Sequence, residues 1–159
     1  PTAIDGSDVS GWQSVDLIFN GDIASITTSD FIVTQIGGSG VAPIPLAVVS
    51  PDKNTVQVQF DKPIEAGAWT TLSYLGGSGV LIRFGFLPGD VNGDLTTSPA
   101  DILALIDSLN SVGAPRPIWS TDINRSGLAG ASDILREIDL LNGAEAFNPW
   151  NGISLPPIP

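Results

Sequence analysis

Two stretches decide how this chain is read: Asp90-Val91-Asn92-Gly93-Asp94-Leu95-Thr96-Thr97-Ser98-Pro99-Ala100-Asp101 and Asp122-Ile123-Asn124-Arg125-Ser126-Gly127-Leu128-Ala129-Gly130-Ala131-Ser132-Asp133. Both carry oxygen side chains at positions 1, 3, 5 and 12, the spacing with which a 12-residue loop wraps a calcium ion. Calcium is a hard cation that takes about six to eight oxygens, including the backbone carbonyl of position 7, here Thr96 and Leu128. The candidate ligands are Asp90, Asn92, Asp94, Thr96, Ser98 and Asp101 in the first loop and Asp122, Asn124, Ser126, Leu128 and Asp133 in the second. Turn chemistry uses Asp-x-Asn-Gly as well, and Ser-Pro-Ala-Asp or Ala-Ser-Asp can simply open a helix. Repetition in register argues for the metal. The copies start 32 residues apart, at Asp90 and Asp122, and each runs into an apolar helical pattern. Those patterns are Ile102, Leu103, Leu105, Ile106 and Leu109, then Ile134, Leu135, Ile138 and Leu141.

The loops are unequal. Asp90, Asp94 and Asp101 give the first three carboxylates, whereas Asp122 and Asp133 give the second only two, so the second site is expected to be weaker. Position 6, where a sharp turn favours Gly, is Gly127 in the second loop but Leu95 in the first. A left-handed Leu there costs on the order of 1 kcal/mol, which metal binding can offset.

These residues resemble the type I dockerin, a paired calcium-loop-plus-helix module with Asp at loop position 12 and the pattern Asp-Ile-Leu-x-x-Ile-x-x-Leu. Asp101-Ile102-Leu103-Ala104-Leu105-Ile106-Asp107-Ser108-Leu109 and Asp133-Ile134-Leu135-Arg136-Glu137-Ile138-Asp139-Leu140-Leu141 are both similar to it, as is the lead-in Phe86-Leu87-Pro88-Gly89-Asp90-Val91-Asn92. The resemblance covers about residues 87 to 150. It implies a calcium-folded plug that docks onto a β-sandwich partner, a cohesin. By offset it places partner contacts at Pro99, Ala100, Ile106 and Asp107 in one half and at Ala131, Ser132, Ile138 and Asp139 in the other. The two sets are not identical, which speaks against a symmetric dual binding mode.

Composition frames this reading. The 159 residues suffice for one ordinary domain or two small ones. With 17 acidic and 6 basic residues the net charge is −11, and no basic cluster is present to meet nucleic-acid phosphates. Five of the acids lie in the two loops, and two calcium ions would bring the charge to about −7. There is no Cys and no His, which removes disulfides, the usual zinc, haem and iron–sulfur ligands, and Ser-His-Asp or Cys-His catalysis. A first residue other than Met, with no Met anywhere, reads as a processed or excised chain. No apolar run approaches the roughly 20 residues of a membrane span. Weak sites of this kind fill at the millimolar calcium typical outside cells, so the expected location is extracellular or cell-surface.

Residues 1 to 87 change character, with short alternating runs bounded by turn residues. Val15, Leu17 and Phe19 alternate, as do Val56, Val58 and Phe60; further strands are expected over 31–35, 46–49, 69–74 and 80–86. Turn signals separate them at Asn20-Gly21, Gly37-Gly38-Ser39-Gly40, Pro51-Asp52-Lys53-Asn54 and Gly76-Gly77-Ser78-Gly79. Six or seven such strands suggest a small β-sandwich. The runs Val-Asp-Leu-Ile-Phe-Asn, Ser-Asp-Phe-Ile-Val-Thr and Thr-Val-Gln-Val-Gln-Phe are similar to Ig-like modules of secreted and surface-layer proteins over about residues 12 to 86.

Other signals are weaker. Trp12, Trp69 and Tyr74 suit either a sugar platform or a core, and core is the commoner use. Asp61 and Glu65 could pair as in a glycosidase, but a sandwich this small lacks a cleft. Asn124-Arg125-Ser126 is a glycosylation triplet whose Asn is better used as a ligand. Trp119 and Trp150 can close the helical core or reach an interface, with Pro88 a stacking candidate for Trp150. The tail Leu155-Pro156-Pro157-Ile158-Pro159 is expected to be extended, as a strand offered to a partner or a disordered end.

The expected fold class is therefore two-domain: an all-β Ig-like sandwich over 1–87, then an all-α dockerin-like pair of calcium loop-helix motifs over 88–159 with a Pro-rich tail. The expected function is a non-enzymatic extracellular assembly module with two calcium sites, docking on a cohesin-like partner. Two alternatives stand beside it: a self-assembling subunit of a filament or surface layer that docks on the sandwich of a neighbouring copy, and an accessory fragment of a larger secreted enzyme such as a glycoside hydrolase.

Overall fold

Alternation of apolar and polar residues builds the first part of the chain. In the computed structural model, which describes residues 11–21, 25–77, 79–143 and 149–158, six strands form: β1 (Ser14–Ile18), β2 (Phe31–Gly37), β3 (Pro45–Val49), β4 (Thr55–Phe60), β5 (Ala68–Tyr74) and β6 (Val80–Phe86). Ser78 of the last expected turn, the first ten residues and Pro159 of the tail lie outside the described residues. The strands make two antiparallel three-stranded sheets, ordered β1-β4-β3 and β2-β5-β6. In each, the central strand carries the most regular inward face. Val56, Val58 and Phe60 of β4 are buried while Gln57 and Gln59 between them are not; in β5 Ala68, Thr70 and Leu72 are buried, and Thr71 between the last two is buried as well.

Register follows from those faces, because a one-residue slip would turn every buried side chain outward. Val15 pairs with Val58 and Leu17 with Val56 on one side of β4, and Val48 pairs with Val58 on the other. In the second sheet Leu72 lies between Val33 and Ile82. Leu17, Phe31, Val56, Val58, Phe60, Ile64 and Leu72, drawn from both sheets and the loop after β4, close into one apolar cluster. A bulge between Pro45 and Ala47 lets Leu46 turn outward.

Beyond the strands come three helices: α1 (Pro99–Leu109), α2 (Ile118–Thr121) and α3 (Ala131–Asn142). The described residues divide into two compact units, 11–86 with 156–158, and 87–155. In the second unit Val91, Ala104 and Leu105 form a small buried cluster against which Leu109, Ile123 and Ile134 pack. Leu140, Leu141 and Leu155 are buried as well. No helix among the described residues is long and apolar enough to cross a membrane.

The expected fold class of an all-β sandwich followed by an all-α dockerin-like pair is corrected here. The chain is mostly β with a few helices, two three-stranded sheets and helices of 11, 4 and 12 residues, and 87–155 is not a separate all-α domain. Two causes are visible. Pro115 and Pro117 keep the segment after α1 from continuing as helix. Loop backbone also pairs in the manner of a sheet: Thr96 bridges Ser154, Thr97 N–H donates to Ile153 O, and Leu155 N–H donates to Leu95 O.

Because Phe60 sits at the centre of the sandwich core, Phe60→Ala is expected to cost about 3 to 5 kcal/mol in urea unfolding. Leu46→Ala, at the outward bulge, is expected to change stability by less than about 0.5 kcal/mol in the same assay.

Candidate metal centre

The two acidic loops fold around their own backbone N–H groups. In the first, Asp90 accepts from Gly93 N–H at 2.8 Å and Leu95 N–H at 3.0 Å, one on each carboxylate oxygen. In the second, Asp122 accepts from Ser126 N–H at 2.9 Å and Gly127 N–H at 2.7 Å. Asn92 Oδ1 takes Asp94 N–H and Asn124 Oδ1 takes Ser126 N–H, so position 3 closes onto position 5 in both loops. Asp94 Oδ1 accepts from Thr96 N–H, while the corresponding Ser126 hydroxyl donates to Leu128 O at 3.1 Å.

Position 12 ties each loop to its helix. Asp101 Oδ1 accepts from Val91 N–H and Asn92 N–H at 2.9 and 3.0 Å, and its Oδ2 accepts from Ser98 N–H at 2.8 Å. Asp133 Oδ1 accepts from Asn124 N–H at 2.9 Å and Oδ2 from Gly130 N–H at 2.8 Å. Both aspartates are fully buried. They also occupy the third residue of α1 and α3, so one carboxylate closes the loop and caps the helix. Ser98 Oγ completes the first cap by accepting from Ala100 N–H at 3.2 Å.

Both loops need left-handed backbone at positions 4 and 6. The first supplies it with Gly93 (φ 80°) and Leu95 (φ 68°), the second with Arg125 (φ 58°) and Gly127 (φ 92°). Each loop thus has one Gly and one strained side chain, in opposite order. The strain at Leu95 is legible from its position in the motif; that at Arg125 is visible only from the backbone.

The donor set suits a hard cation. A carboxylate has about four lone-pair directions, so Asp90, Asp122 and Asp133, which accept two N–H bonds each, keep others for a metal, while Asp101 already accepts three. Among the described residues, no group of three or more acidic side chains converges closely enough to hold a metal ion as it stands. The first loop is nonetheless crowded with negative charge. Partial burial pushes the Asp90 carboxyl up, the Gly93 and Leu95 N–H groups oppose this, and the charges of Asp101 and Asp94 push it further up.

An acid that the loop motif does not include stands beside this set. Glu137, on α3, is fully buried and neither of its carboxylate oxygens has a hydrogen-bond partner. Burial first, then the charges of Asp101 and Asp90, raise its carboxyl from 4.5 to about 8. An ionised carboxylate sealed from water without a partner costs on the order of several kcal/mol, so without a cation nearby the neutral form is preferred. The signal that could have found it is the repeat: 32 residues earlier the equivalent position is Leu105, an apolar residue buried at the centre of the small core.

The residues assigned to a partner by resemblance lie mostly on the surface. Pro99, Ala100 and Asp107 on α1, and Ala131, Ser132 and Ile138 on α3, are exposed, with Ile106 and Asp139 half-buried. Ser132 Oγ is engaged by Asn124 Nδ2 at 2.8 Å. Leu103 and Leu135, both members of the apolar helical patterns, are 64% and 66% exposed. Being 32 residues apart, they extend Ile106 and Ile138 into an equivalent apolar pair on each helix.

The remaining candidates have structural partners. Trp12 packs edge-on against Phe84, and Tyr74 contacts Phe19 and Phe31. Trp69 Nε1 donates to Pro156 O at 2.9 Å, which ties down the start of the tail. Trp69 and Tyr74, five residues apart on β5, face opposite sides of the sheet and cannot share a platform. Asp61 accepts from Ile44 N–H, and Glu65 from Ser39 N–H and Ser39 Oγ, so both acids hold loops. Trp119 is largely exposed, whereas Trp150 is half-buried and its backbone N–H donates to Leu140 O.

No family model matches the chain, and a search of curated proteins finds no match.

Leu95→Gly is expected to stabilise the protein by about 1 kcal/mol in urea unfolding, because it removes the left-handed side chain and keeps both backbone hydrogen bonds. In chelator, Glu137 favours the folded state fully below its unfolded value of 4.5, and this contribution is lost as pH rises through about 8. The melting temperature is therefore expected to fall from pH 5 to 8, by the equivalent of a few kcal/mol, and Glu137→Gln should flatten the curve. Asp52 and Glu65, both lowered, act in the opposite sense and lose their contribution as pH falls, below this window.

Proposed function

We propose that this chain is a non-enzymatic, calcium-dependent assembly module of the extracellular space or cell surface, akin to a dockerin in how it uses metal. The observation that carries this reading is the repeated hydrogen-bond plan of the two loops, each closed by a buried position-12 aspartate that also caps the following helix. Asp90, Asn92, Asp94, Asp101 and the Thr96 carbonyl would hold one calcium ion. Asp122, Asn124, Ser126, Asp133 and the Leu128 carbonyl would hold the second. Bound calcium offsets the mutual repulsion of the loop carboxylates and stiffens the start of each helix.

The surface so ordered is apolar. Leu103 with Ile106, and Leu135 with Ile138, give each helix an i, i+3 pair facing outward, beside the exposed Pro99, Ala100, Ala131 and Ser132. Such a surface fits a protein partner of the β-sandwich kind, as the resemblance implies. A second reading, in which the partner is the sandwich of another copy, is favoured by the exposed Ile18, Leu46 and Leu81 on the edge strands β1, β3 and β6.

Circular dichroism with calcium and chelator tests the metal. Helical signal should rise with calcium in the wild type and fail to rise in the Asp90→Ala, Asp101→Ala double variant. A spectrum indifferent to both chelator and substitution would reject the reading. Light scattering during the same titration separates the partners: a mass that grows with calcium and protein concentration, and that Leu103→Asp with Leu135→Asp abolishes, identifies a second copy.

A further inference from the structure

The two repeats carry the same residues at loop positions 1, 3 and 12, differ at position 5 (Asp94 against Ser126), and differ again at a buried helix position. Leu105 of α1 is replaced in α3 by Glu137, whose carboxylate is completely enclosed and receives no hydrogen bond. Its oxygens lie directly against the backbone before the first loop: a Cβ built on Gly89 would be 2.6 Å from Glu137 Oε1 and 2.8 Å from Oε2, and Gly89 has φ 80°. Any side chain at Gly89 would collide with the carboxylate, and the next residue is Asp90, position 1 of the loop. Arg116 donates to Val91 O at 2.9 Å.

We propose that Glu137 contributes its carboxylate charge to the cation site of the first loop, so that one calcium ion joins the helix of the second repeat to the loop of the first. The inference rests on the calcium reading of that loop. A Leu fits the equivalent place in α1, so packing alone does not call for an acid in α3. What an acid adds is oxygen donors and a negative charge, placed against Gly89, next to position 1 of the loop, and within the fields of Asp90 and Asp101. The second loop has Leu105 in the equivalent role and lacks this reinforcement, which deepens the difference between the sites beyond their carboxylate count.

Calorimetric titration of the chelator-treated full chain with calcium chloride tests it, using wild type, Glu137→Gln and Glu137→Leu. The wild type should show two binding events. In both variants one event should weaken on the order of 10- to 100-fold while the other is unchanged. Glu137→Leu, which restores the residue type of the first helix, should melt at a higher temperature than wild type in chelator and gain less from calcium. Two unchanged events in folded variants would overturn the role of Glu137 and leave the loops' function intact; equal weakening of both events would mark a general packing defect and overturn it too. A wild type that takes up no calcium would reject the loop reading itself, and this inference with it.

Discussion

The helical unit depends on one kind of interaction, the buried carboxylate that joins a loop to the helix it opens. Asp101 takes N–H groups from Val91 and Asn92 at the beginning of its loop and from Ser98 at the cap of α1, and Asp133 does the same with Asn124 and Gly130. Full burial makes these bonds strong and their loss costly, since removing the carboxylate strands the donors it satisfies. The apolar cluster of Val91, Ala104 and Leu105 is too small to set the loop path alone. Loop and helix therefore order together.

Charge is the countervailing term. Asp90, Asp94 and Asp101 belong to one loop, the charges of Asp101 and Asp90 act on Glu137 of α3, and burial together with like charge raises Asp90 and Glu137. A chain selected for stability alone would place a Leu at 137, as it does at 105. The left-handed Leu95 and Arg125 add local strain at the same loops. Left-handed side chains in both loops and an enclosed acid without a hydrogen-bond partner beside the first are local costs that the rest of the unit has to offset.

Among the described residues of the β unit no side chain other than glycine sits on left-handed backbone, and the pattern of residues is nearly its own explanation. Val56, Val58 and Phe60 alternate with glutamines, and the same alternation sets both the inward face of β4 and its register with β1 and β3. The aromatic residues Trp12, Trp69 and Tyr74 contact Phe84, Pro156, and Phe19 with Phe31 respectively, and the two on β5 face opposite sides of the sheet.

Strand positions and the helices that follow the two acidic stretches were legible in the sequence because each rests on local period: two for strands, about 3.6 for helices. The division into an all-β and an all-α domain was not, because it assumed that loop backbone stays unpaired. Thr96 and Thr97 instead pair with Ile153 and Ser154, far along the chain. The exposure of Leu103 and Leu135 and the sealing of Glu137 were equally hidden. All three are decided by what packs against a helix rather than by its own period, and a local pattern states which residues share a face without stating which face is covered.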